Sequence, residues 1–310
     1  EAQVVIKTVD LTTGDEVDMN VVEGRIWNDV PFQLSPDKKR LTLAPLRSLS
    51  RMRVVYLADN RLEGSLEGLS GSAPTLQQVY LSDNGLNGTL DILASSAELF
   101  LLYASRNRFE GTLDALGPLT RLVYVILEEN ALTGDLRAVS NWTRLASLVL
   151  AANQIQGTLS PLRDVASYYG LEDLYLGDNE LEGTLEPLRN ATRLMWISLP
   201  RNRLSGTLAP LSASSQLTLL HLEENRLSGD LGALRRLERL VDVHVFQNQL
   251  RGDVSILSSC CPELKQVYAG DNGFEGELGS TPWPATLTHL YLENNLLSGD
   301  VAVFQGMTRA

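Results

Sequence analysis

One phrase, L-x-x-N-x-L-x-G, returns eleven times in this chain of 310 residues, and it limits the possible folds more than any other feature. Its asparagines are Asn60, Asn84, Asn107, Asn130, Asn153, Asn179, Asn202, Asn225, Asn248, Asn272 and Asn295. They are spaced by 23 or 24 residues, apart from one interval of 26. Four residues after every asparagine stands a glycine, from Gly64 to Gly299. Position +2 is Leu, Ile or Phe, position +6 is Leu or Val, and positions −3 and −5 are apolar. Such a period belongs to chains in which each repeat is one supersecondary unit stacked on the next. The prior of about two compact domains for this length gives way to it.

Elementary chemistry explains the columns. Alternation at −5 and −3 describes a short strand with one buried face. Parallel strands from successive repeats would stack at ~4.8 Å into one long sheet. The chain then leaves the sheet through a turn whose backbone groups need partners. An asparagine amide supplies both a donor and acceptors there. The glycine suits a backbone with φ > 0 or a close neighbouring turn. We expect eleven parallel strands centred near Tyr56, Tyr80, Tyr103, Ile126, Val149, Tyr175, Ser198, His221, His244, Tyr268 and Tyr291, with the asparagines buried.

These columns resemble the leucine-rich repeat consensus L-x-x-L-x-L-x-x-N-x-L, over roughly residues 41–310. The added glycine, followed by Thr-Leu or Asp-Leu, is similar to the plant-type subclass and to some protozoan surface antigens, although the Ile-Pro of the plant consensus is missing. The resemblance implies an α/β-type repeat solenoid, a horseshoe with a concave parallel sheet and an irregular, mostly non-helical convex side.

Residues 1–40 fall outside the columns. "VVIKTVDL" and "DEVDMNVVEG", separated by "TTG", read as a β-hairpin that caps the solenoid of residues 41–310. The long interval carries an insertion around "SYYGLED", where Tyr168 and Tyr169 are expected to pack locally, as is Trp283 in "STPWPATL". At the other end, Leu290, Leu292, Leu297, Val301 and Phe304 belong to a repeat with no visible successor. A partner or a missing segment is expected to cover that edge.

The formal charge of −12 argues against nucleic acid and anionic membrane surfaces as partners. No apolar run of ~18 residues is present, so no transmembrane segment is expected, and no signal peptide is visible. The two cysteines, Cys260 and Cys261, are adjacent, which excludes a disulfide framework. A bond between neighbours is strained, so both are read as thiols, with Cys261 in the buried column of Leu119 and Leu237. Capping disulfides of the kind seen in extracellular relatives are absent, which counts against a receptor ectodomain. Acceptor triplets for glycosylation start at Asn87, Asn141 and Asn190.

No nucleophile with its base, phosphate loop or paired-carboxylate constellation emerges, so no enzyme and no cofactor are expected. Asp59, Asp83, Glu129, Asp178, Glu224 and Asp271 share one column and read as a charged rim. His221 and His244 share another, with Glu223 and Glu224 close in register. Two histidines are too few for a zinc site, and no metal is expected.

Aromatic residues give the functional signal. Position −4 holds Tyr56, Tyr80, Tyr103, Tyr175, Tyr268 and Tyr291 beside His221 and His244. Position −6 holds Tyr124 and Trp196, and Phe246 stands at −2. Strand propensity alone favours tyrosine here, yet aromatics on an open surface are enriched at recognition sites. With Arg106, Arg108, Arg201 and Arg203 nearby, these residues form the candidate partner-binding face. The sequence thus points to a non-enzymatic scaffold or accessory subunit that binds a protein or peptide on its concave face. A secreted or cell-surface ectodomain for a peptide or glycan is the alternative. A secretory, extracellular or organelle-lumen setting is favoured over the cytoplasm.

Overall fold

The computed structural model describes residues 3–6, 19–22, 42–168, 170–278 and 282–300. Two compact units divide the chain, Glu1–Ile155 and Gln156–Ala310. In the first, strand Gln3–Ile6 pairs antiparallel with Met19–Val22 and parallel with Val54–Tyr56. Strands Gln78–Tyr80, Leu101–Tyr103, Tyr124–Ile126 and Ser147–Val149 then add in parallel. In the second unit, Asp173–Tyr175, Trp196–Ser198, Leu219–His221, Asp242–His244, Gln266–Tyr268 and His289–Tyr291 repeat the arrangement. The connections between hairpin strands, the expected solenoid start at Leu41, Tyr169, and Val301 and Phe304 lie outside the described residues.

Every repeat strand has three residues, and its central residue, such as Val125 or Ile197, points into the leucine core. The expected centres are therefore one residue late: Tyr56, Ile126, His221 and their equivalents are the last residues of their strands. The alternation of apolar residues at −5 and −3 puts the centre at −4, between them. The pairing is set instead by the buried residue before it.

The repeated asparagine joins each repeat to the one before. Nδ2 of Asn84, Asn107, Asn130 and Asn153 donates to the carbonyls of Leu57, Leu81, Ala104 and Leu127, at 2.8–3.0 Å. Oδ1 of the same residues accepts from the N–H groups of Leu62, Leu86, Phe109 and Leu132, at 2.9–3.0 Å. In the second unit Asn202, Asn225, Asn248, Asn272 and Asn295 bond the preceding turn in the same way. One side chain thus satisfies both the entry and the exit of its neighbour's turn. Only Asn107 and Asn202 are fully buried; the other nine are half-buried, which corrects the expectation of complete burial.

The residue before each asparagine has a left-handed backbone in all eleven repeats, with φ between 48° and 59°. Asp and Asn tolerate that conformation best among residues with a side chain. The acidic column read as a charged rim is thus first of all a turn position. Arg106, Glu129, Ala152, Arg201, Glu224 and Gln247 hold the same conformation, at a cost on the order of 1 kcal/mol each.

Beyond the asparagine the chain forms a second set of short parallel strands that the sequence reading did not anticipate, for example Glu180–Thr184, Arg203–Gly206 and Arg226–Gly229. The glycine lies here at positive φ, and a Cβ on Gly206 would meet Thr184 Cγ2 of the preceding repeat at 3.1 Å. Thr184 and Thr207 then accept from the N–H groups of Glu186 and Ala209, and Asp230 from Gly232, at 2.8–3.3 Å. The Thr or Asp after the glycine therefore starts the short 3-10 helix of the outer side, such as Glu186–Leu188 or Ala209–Ala213. Two α-helices, Leu162–Tyr168 and Ile256–Cys260, replace it where the chain is longer or differently composed.

Cys260 and Cys261 are joined by a disulfide, contrary to the reading of two thiols. Helix Ile256–Cys260 ends at the first of them, and both side chains are buried in the same turn. Trp283 is buried as expected. In the last described repeat Leu290, Leu292 and Leu297 are half-buried, and Leu296 is 73% exposed.

Replacing Asn202 with alanine strands the Leu181 N–H and the Leu176 carbonyl, and is expected to lower stability by about 3 kcal/mol. Gly206→Ala, with its left-handed backbone and the contact to Thr184, is expected to cost about 1–2 kcal/mol. Urea unfolding of both variants checks the ladder; an Asn202→Ala midpoint equal to that of the parent would contradict it. Alkylation of the native protein is expected to modify neither cysteine until a reductant is added.

Candidate functional site

All fifteen residues of the candidate face are at least partly exposed. Side chains two apart on a strand share a face, so positions −6 and −4 form one surface on the solvent side of the sheet. In the first unit Tyr56, Tyr80 and Tyr103 are paired directly across adjacent strands. Their ring centroids are 4.7 and 5.3 Å apart, the first pair tilted and the second edge-on. Burial, and then the neighbouring Tyr56, push the Tyr80 phenol above its ordinary pKa. Tyr124 stands in register with Leu101 and Ser147, with no aromatic at either side of its column, and is 39% exposed.

The second unit has a longer stack. His221 and His244 lie face to face at 3.9 Å with a 9° interplanar angle. His244 meets Tyr268 edge-on at 4.3 Å, and Tyr268 stacks on Tyr291 at 4.6 Å. Ser198 separates Tyr175 from this column. Burial, and then Asp173, raise the Tyr175 pKa. Trp196 pairs with Asp173 and Leu219 and is 40% exposed. Phe246 is half-buried at the far end of its repeat's strand turn.

Three of the arginines differ from the sequence expectation in one respect: adjacent repeats already supply carboxylates to them. Arg106 pairs with Asp83 at 3.2 Å and Glu129 at 3.1 Å. Arg201 pairs with Asp178 at 2.5 Å and Glu224 at 3.3 Å, and Arg203 with Glu180 at 3.0 Å. Hydrogen bonds, to Glu129 in one case and Asp178 in the other, raise the pKa of Arg106 and Arg201. Such exposed pairs contribute little to stability, and they neutralise part of the surface. Arg108 is exposed on the adjoining short strand.

Two acidic residues complete the histidine pair, and the sequence reading named only one of them. Asp242 lies two residues before His244 on the same strand face. Its carboxylate is 3.3 Å from His221 Nε2 and 3.0 Å from His244 Nε2. Neither approach is aligned as a hydrogen bond. Burial pushes the Asp242 carboxyl up, but the two imidazoles outweigh it and hold the group below its ordinary range. Glu223 is only 8% exposed. Burial raises its pKa, against the opposing effects of its own backbone N–H, His221, His244 and Arg201. The signal for Asp242 was available as a charged residue at i−2 from a histidine on one strand.

Trp142 and Trp196 offer an internal comparison. Trp142 is fully buried and its Nε1 donates to the Leu116 carbonyl at 3.0 Å. Trp142→Ala is expected to destabilise by about 3–5 kcal/mol, whereas Trp196→Ala is expected to shift stability by about 0.5 kcal/mol. Comparable losses in thermal unfolding would show that Trp196 is held by packing and not available to a partner.

No protein-family model matches the sequence, and no curated protein matches it. Solved structures do. The receptor kinase HAESA leucine-rich-repeat ectodomain of Arabidopsis, crystallised with an extended IDA peptide hormone, is similar with a TM-score of 0.73 at 23% identity. The match covers 83% of this chain and 44% of that one, so the chain spans less than half of the receptor ectodomain. The internalin InlF of Listeria monocytogenes is similar with a TM-score of 0.70 and 24% identity, covering 88% of this chain and 76% of that one. A plant ice-binding protein has a TM-score of 0.68 and 20% identity, with 81% and 85% covered. At these identities the likeness speaks for the fold. Together with the repeated strands and the asparagine ladder, it establishes that this chain has the fold of the leucine-rich-repeat proteins.

Proposed function

We propose that the chain is a non-enzymatic recognition module that binds a protein or peptide on the solvent side of its repeat sheet. The observation that supports this reading is the exposure of Tyr124 and Trp196, each large, aromatic and without an aromatic partner in its column. Such side chains bury much area on binding with little rotamer entropy to lose. In the first unit the edge-on pair Tyr80 and Tyr103 adjoins the strand of Tyr124. A peptide ligand is favoured by the likeness to the HAESA ectodomain, which holds a peptide hormone. This reading puts the chain in a secretory or extracellular setting, where Asn87 and Asn190 are exposed as acceptors. Nδ2 of Asn141 already donates to the Gly117 carbonyl at 3.1 Å. No helix among the described residues is long and apolar enough to cross a membrane. The same reading seats a partner against Leu290, Leu292 and Leu297.

Crosslinking in native extract, with mass spectrometry of the captured peptides, identifies the partner. Trp196→Ala and Tyr124→Ala are then each expected to weaken its binding by roughly 2 kcal/mol. Normal binding by both variants, or crosslinks confined to the outer 3-10 helices, would count against the proposal.

A further inference from the structure

Four buried polar atoms without a hydrogen-bond partner meet in the second unit: His221 Nε2, His244 Nε2, Glu223 Oε2 and Asp242 Oδ1. Leaving such an atom unpaired costs about 1–3 kcal/mol, so a cluster of four calls for an explanation. The backbone brings them together. His221 pairs directly with His244 across parallel strands. Glu223 follows His221 by two residues, and Asp242 precedes His244 by two. The donor atoms of His221, Glu223 and His244 all lie within 4.8 Å of one another.

The chemistry of the set is specific. Two imidazoles stacked at 3.9 Å repel one another if both are protonated. With the proton on Nδ1, each neutral ring turns an Nε2 lone pair toward the carboxylates, an arrangement that a cation satisfies; with the proton on Nε2 the rings would instead face Asp242 as donors, and the titration below separates the two. Ligands bound to one zinc ion at ~2.0–2.1 Å stand roughly 3.3 Å apart in a tetrahedron. The Asp242 carboxylate already has that spacing from both nitrogens. Imidazole donors select zinc and its transition-metal neighbours over calcium or magnesium, which take oxygen ligands. The His221 and His244 side chains remain 20% and 19% exposed, so an ion can reach them from solvent.

We propose that His221, His244 and Glu223, with Asp242 against both imidazoles, form a binding site for a divalent transition-metal ion of the zinc class. The site joins two adjacent repeats and does not depend on the partner reading above. It departs from the expectation from sequence, which lacked a third donor fixed in place.

The test uses the full chain without a histidine tag, stripped of metal, and titrated calorimetrically with zinc chloride. One zinc ion per chain is expected, bound about 100-fold more tightly than calcium. His244→Ala and Glu223→Gln are each expected to weaken binding by about tenfold or more, and His289→Ala to bind like the parent. Circular dichroism establishes that each variant is folded. Should one not fold, imidazole NMR of the parent decides: zinc is expected to shift the His221 and His244 ring signals together. Absence of zinc binding, equal binding by the folded His244→Ala variant, or ring shifts confined to His289 would overturn the proposal.

Discussion

The side-chain amide of the repeated asparagine is the interaction on which the rest of the structure depends. A turn that leaves a sheet for the interior must pair its backbone groups or lose about 1–3 kcal/mol for each. Asn202 pairs both the Leu176 carbonyl and the Leu181 N–H of the preceding repeat, while also donating to carbonyls of its own turn. This ties adjacent repeats at a fixed spacing, and parallel register follows. The left-handed residue before the asparagine and the glycine four after it are conditions for presenting the amide at that place.

Fixed register also decides what the surface can do. Equivalent positions stack, so a side chain is defined as much by its column as by its own repeat. Tyr56, Tyr80 and Tyr103 engage one another, as do Tyr268 and Tyr291. Much of the tyrosine signal is thus cross-strand packing. Tyr124 and Trp196 are different, because Leu101 and Ser147 flank the one and Asp173 and Leu219 the other. The candidate recognition surface is narrower than the aromatic count alone suggests. The same stacking gathers His221, His244 and Asp242 into a polar cluster.

How much was legible in the sequence depended on whether a residue acts within its own column. Asn84 and Gly88 were readable because backbone chemistry admits few alternatives at those positions. The acidic column misled, since charge was its obvious property and left-handed backbone its structural one. The threonines after the glycines carried no evident role until Thr184 was seen beside Gly206 of the next repeat and below the N–H of Glu186. The Cys260–Cys261 bond was judged from general strain, without the helix end that brings the two sulfurs together. Asp242 was missed because its partners come from two strands, and only the register places both imidazoles against one carboxylate.

Hydrogen exchange at the backbone amides of Leu181, Leu204, Leu227 and Leu250 tests the asparagine ladder most directly. These N–H groups have the Oδ1 atoms of Asn202, Asn225, Asn248 and Asn272 as acceptors. The account predicts that they exchange as slowly as the amides of the sheet core, and that Asn225→Ala exposes Leu204 first. Exchange of these amides at the rate of surface-loop amides in the parent protein would contradict it.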